Sequence, residues 1–180
     1  LNYENGYEKE NDITNSIVNK GFSHLRFTKN LLNNIFVEFF VQYGFNDFLL
    51  MKERLLYGSG FRYRFFDSEK MNTHIGIGLM QEDEIYDLEN NQDMSLIRST
   101  NYITWKIKLS NNAQLGNTAY FQFDTKRSKD NRMLYDGDIS IDLNEKLSFN
   151  FMIKYRQDSE PHGYLGKTYI QLKNGVEFLF

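Results

Sequence analysis

The chain has 180 residues, no cysteine, a single proline at 161 and a net charge of −3. That length suits one domain, and the composition excludes disulfides, thiolate metal sites and thiol nucleophiles. The mild acidity removes the basic surface expected of a nucleic-acid binder.

Leu1 to about Glu8 reads as a short strand, followed by a polar loop and a second strand over Ser16 to Thr28, where Leu25 and Phe27 oppose His24 and Arg26. The strongest signal lies between Asn34 and Asp67. Ile35, Val37, Phe39, Val41 and Tyr43 share one face against Glu38, Gln42 and Gly44. After a turn at Phe45-Asn46-Asp47, Leu55, Tyr57, Phe61, Tyr63 and Phe65 oppose Lys52, Arg54, Gly58, Gly60, Arg62 and Arg64. Period-two alternation of this length is a strand signature, and the second run exceeds the ~5–6 residues common in globular sheets.

Beyond a turn at Asp67-Ser68-Glu69, Ile75, Ile77, Leu79 and Ile85 alternate with His74, Gly76, Gly78, Glu82 and Glu84. Past a polar loop, Ile97, Ile103, Trp105 and Ile107 oppose Arg98, Thr100, Tyr102 and Lys106. Four further strands repeat the pattern, with connections near Asn111, Thr125 to Asp130, Glu145 and Ser159 to Lys167. In the C-terminal half short connections alternate with long ones, as in outer-membrane barrels with short periplasmic turns and longer external loops. The count is about ten strands. No apolar run approaches the ~18–20 residues of a membrane helix, but barrel strands score weakly in hydropathy, so the mean hydropathy of −0.58 is compatible with them.

The expected fold is therefore all-β, an antiparallel up-and-down transmembrane β-barrel occupying 1–180 as one domain. The polar faces, rich in Arg, Lys, Glu and Gly, turn inward, and the apolar faces meet lipid. Alternation also fits a soluble, inward-apolar barrel of the lipocalin type that binds a small apolar ligand, and that is the alternative. Two residues fit the membrane reading poorly: Glu53, which sits above the ~9–11 residues needed to span, and Asn174, between Leu172 and Val176 on the apolar face.

A three-residue turn after Asp67 would set Gly60 opposite Gly76 and Gly58 opposite Gly78, leaving room for a bulky neighbour such as Tyr102. It would also set Arg54 beside Glu82 and Lys52 beside Glu84, with Arg98 at a similar height. Unpaired charges inside a barrel wall are costly, so Lys52, Arg54, Glu82, Glu84 and Arg98 are expected to form an interior charge network. The histidines, His24, His74 and His162, match no catalytic or metal-ligand spacing. No enzymatic activity, cofactor or metal is expected.

The segments Asn19-Lys20-Gly21-Phe22-Ser23-His24-Leu25-Arg26-Phe27, Glu38 to Gly44, Arg54 to Arg64, and Asp158-Ser159-Glu160-Pro161 resemble the YdiY-like family of small predicted outer-membrane proteins. That family is named for salt induction and catalogued as a domain of unknown function, and the Bacteroidetes-type branch looks most similar. The resemblance implies a Gram-negative outer-membrane location and no established activity. Its partners would be outer-membrane lipid and the barrel-assembly machinery, for which a terminal aromatic, here Phe180, would serve as an assembly signal. It also implies a signal peptide and further strands ahead of Leu1, about twelve in all, so the chain is expected to be N-terminally shortened.

Overall fold

The structure is a computed structural model that describes residues 2–10, 13–88 and 93–178. Ten strands follow one another: β1 (Asn2–Glu10), β2 (Ile13–Leu32), β3 (Ile35–Asn46), β4 (Met51–Asp67), β5 (Met71–Tyr86), β6 (Asp93–Lys108), β7 (Ala113–Asp124), β8 (Asn131–Asn144), β9 (Leu147–Asp158) and β10 (Thr168–Phe178). They form one sheet in sequence order, each antiparallel to the next, an all-β up-and-down architecture. Phe180 lies outside the described residues.

The sheet curls into a barrel, because side chains from strands far apart in the order meet inside it. Arg132 of β8 reaches Glu82 and Glu84 of β5, and Tyr102 of β6 reaches Glu38 of β3. The two ends of the sheet also approach each other. Glu4 of β1 is ion-paired with Lys173 of β10, and β10 also meets the 3-10 turn Asp47–Leu49 that follows β3, with the Phe48 ring 5.6 Å from that of Tyr169.

The apolar faces point outward. Ile77 and Leu79 are 58% and 55% exposed, and Leu25, Phe27, Phe39, Phe61, Phe121, Ile170 and Leu172 are likewise exposed. A soluble barrel would bury that set. The interior instead holds Glu38, Glu82, Glu84, Arg98 and Arg132, with Met51, Leu56, Met80 and Tyr86 as its few buried apolar side chains among the described residues. This inversion follows from the sequence: with a strict period of two, one face must be apolar and the other polar, and the charged face is the one that can pair with itself across a lumen.

Strand ends differ in places from the sequence expectation. β2 runs on to Leu32 because Asn33, at a φ of 25°, supplies a tight two-residue turn into β3. The β3–β4 connection lies at Asp47–Leu50, later than the expected Phe45-Asn46-Asp47 turn, with Leu50 at a φ of 51°. Glu53 is exposed near the rim, where its carboxylate accepts a hydrogen bond from the Tyr43 hydroxyl at 2.8 Å. Asn174 is exposed on β10, opposite Phe151.

Candidate functional site

The site is built where the loop-side ends of β4, β5, β6, β8 and β9 turn their inward positions toward one another. On β5, Glu82 and Glu84 are two residues apart and so share the inward face. Both are buried, with relative exposures of 0% and 1%. Arg54 on β4 donates to Glu82 Oε1 at 2.5 Å and lies 2.9 Å from Glu84 Oε1. Arg98 on β6 binds Glu82 Oε2 through its Nε and donates from Nη1 to Asp130 Oδ1 at 2.9 Å.

Arg132 on β8 completes the layer. Its Nη1 donates to Glu82 at 2.8 Å, both Nη groups donate to Glu84 at 2.9 Å, and its Nε donates to Asp158 at 2.8 Å. Four carboxylates (Glu82, Glu84, Asp130 and Asp158) thus meet the guanidinium groups of Arg54, Arg98 and Arg132, with Nη2 of Arg98 buried without a hydrogen-bond partner and Arg156 3.3 Å from Asp158. The balance matters, since a buried charge is tolerated only when its attractions and hydrogen bonds offset its desolvation.

The long-loop side of this layer is covered. Tyr86, 2% exposed, donates its hydroxyl to Glu84 at 2.8 Å. The ring of His162, from the long connection after β9, lies 4.0 Å from that of Tyr86. Burial holds the His162 imidazole below its ordinary pKa.

A second layer lies nearer the short turns, around Glu38 on β3. Glu38 is 2% exposed and accepts from the Tyr102 hydroxyl at 2.5 Å, with Arg62 at 3.4 Å and Arg26 at 3.6 Å. Tyr102 reaches it by lying flat over Gly76, where any Cβ would collide with the phenol ring. Below this, the lumen opens into a mouth of about 450 Å3 between the turns at Ser68–Lys70 and Ser110–Asn112.

Of the sequence-derived network, Arg54, Glu82, Glu84 and Arg98 are together and Lys52 is not. The reason is register. The β4–β5 turn is Ser68–Lys70, closed by the Ser68 hydroxyl accepting from the Met71 amide at 3.1 Å, and the ladder shifts between Arg64 and Phe66. Gly60 therefore faces Gly78, Gly58 faces Met80, and Arg54 faces Glu84. A second shift between Met51 and Glu53 leaves Lys52 without a partner in the ladder, and its side chain is exposed.

Sequence reasoning missed Arg132, Asp130 and Asp158 as members of the layer. Their signal was present, as inward parity at the loop-side ends of β8 and β9, but only the curl of the sheet sets them against β5. The histidines stay apart on β2, on β5 and in the loop. Among the described residues no group of His, Asp and Glu suits a metal ion.

One solved structure of like architecture is a porin, described as "NanC porin structure in rhombohedral crystal form". It is 10% identical with a TM-score of 0.53, and the match covers 88% of this chain and 74% of that one. At that identity the likeness concerns the fold, a porin-like antiparallel barrel. No curated protein matches the chain. Residues 1–178, nearly the whole length, match the family described as "Protein of unknown function, DUF481", and the chain belongs to that family.

Proposed function

We propose that this protein is a non-catalytic barrel of the Gram-negative outer membrane, structural or serving narrow passage or binding in the envelope, with its lumen held shut by its own side chains. The observation that carries this reading is the layer of Arg54, Glu82, Glu84, Arg98 and Arg132, which ties β4, β5, β6 and β8 across the lumen. The outward apolar belt supports lipid as the surrounding partner, and insertion would then run through the barrel-assembly machinery. The ordered segments from Asn19 to Phe27, Glu38 to Gly44 and Arg54 to Arg64 support placement in the YdiY-like, salt-induced, Bacteroidetes-type branch.

Barrels of about eight strands are filled by their own side chains, whereas aqueous channels appear at ~16–18 strands. Ten strands with two ion-paired layers belong near the filled end. Pure protein reconstituted into planar bilayers should leave the current near baseline. Large, steady single-channel steps would contradict a shut lumen.

A further inference from the structure

We propose that the lumen contains a binding site for a small oxyanion, a carboxylate or phosphate, formed by Lys154 and Arg156 on β9 beside the ion-paired layer. The inference rests on the barrel reading and adds a ligand class to it. Lys154 and Arg156 are two positions apart, so both point inward, with roots about 6–7 Å apart, and both are half-buried.

Neither charge is well answered. The one ion pair of Arg156 is a 3.3 Å contact with Asp158 Oδ2, an oxygen already taken by Arg132 Nε at 2.8 Å. Lys154 has no hydrogen bond or ion pair among the described residues, although Asp136 faces it across the β8–β9 ladder. The two line a cavity of about 230 Å3 in which Glu4 is the one carboxylate among the described lining residues. Glu4 is itself engaged by Lys20 at 3.1 Å and by Lys173. Arg54, on the opposite wall, is neutralised by Glu82 and Glu84.

The cavity therefore carries an excess of positive charge at Lys154 and Arg156, with the amides of Gln42 and Gln171 beside it as further donors. A guanidinium fork next to an ammonium suits the paired oxygens of a carboxylate or phosphate. The volume is ample for an anion of a few heavy atoms, and Lys154 and Arg156 also border an adjoining space of about 620 Å3 on the side of Asp136.

The test uses the full chain in a neutral maltoside detergent, with acetate or inorganic phosphate exchanged for chloride at constant ionic strength. The readout is the temperature at which the compact gel band converts to the unfolded one. At tenfold excess over its dissociation constant, at least one of the two anions should raise that temperature by about 3–6 °C. Lys154→Met breaks no hydrogen bond, so it should keep the compact band in chloride and, read against its own chloride midpoint, lose the response. Exposed Lys108→Met should keep it.

An unchanged response in Lys154→Met would overturn the proposal, as would no response to either anion in the parent. Stabilisation by phosphatidylglycerol where free phosphate is silent would also overturn it, by assigning the phosphate to a lipid headgroup. The compact band in chloride reports the barrel itself. Its absence would count against the barrel, whereas its presence without an anion response counts against the site alone.

Discussion

Glu82→Gln should lower the temperature of gel-band conversion by on the order of 10 °C, while Glu145→Gln in an exposed turn should leave it unchanged. Glu82 is fully buried and touches Arg54, Arg98 and Arg132 at once. The amide keeps the shape and removes the charge. Arg54 and Arg132 then lean on Glu84 alone on β5, and Arg98 keeps only Asp130. Breaking a buried pair costs ~3–5 kcal/mol, and each kcal/mol shifts a midpoint by roughly 2–4 °C at this chain length. Equal effects at Glu82 and Glu145 would mean that the layer does not hold the barrel together.

The second large effect concerns the outer face. Ile77 lies near the middle of β5, between Phe61 and Asn101 on the neighbouring strands, and is 58% exposed. If that exposure is to hydrocarbon, Ile77→Arg costs ~2–4 kcal/mol at the bilayer midplane, against ~0–1 kcal/mol near an interface. Refolding yield into lipid vesicles should fall sharply for Ile77→Arg. Leu109→Arg, an equally exposed position in the short turn after β6, should refold nearly as the parent does. Similar yields for the two variants would argue that the apolar face does not meet lipid.

Much of this architecture is legible in the sequence because strand periodicity is local. The alternation through Ile75, Ile77 and Leu79 against His74, Gly76 and Gly78 assigns both faces of β5 without knowledge of any other strand, and short and long connections order the hairpins. Register is less legible, because it depends on bulges. The turn closing at Ser68–Met71 instead of Asp67–Glu69, less the one residue taken up by the shift near Phe65, sets Gly60 opposite Gly78 and not Gly76, and the shift at Lys52 removes that residue from the network. Neither position carries the glycine or proline that would announce an irregularity.

The site was legible only in part, for a different reason. Arg54, Glu82, Glu84 and Arg98 stand on consecutive strands, so hairpin register brings them close. Arg132 stands three strands from Glu84, and Tyr102 three strands from Glu38. Such pairs exist only once the sheet has curled, and the curl is a property of the whole barrel. Gly76 did carry a hint, since a glycine on an inward face leaves room for a neighbour, and the Tyr102 ring fills that room.

The central claim is that Ile75, Ile77 and Leu79 of β5 face lipid while the even positions beside them face a filled lumen. The chain has no cysteine, so single cysteines can be placed at 74, 75, 77, 79 and 80 and spin-labelled one at a time in bilayers. The measurement is collision with oxygen, which concentrates in the hydrocarbon, against collision with a water-soluble nickel chelate. Labels at Ile75, Ile77 and Leu79 should show high oxygen and low nickel accessibility, while those at His74 and Met80 should be shielded from oxygen. Odd positions shielded from oxygen, with even positions open to it, would turn the barrel inside out and contradict the account.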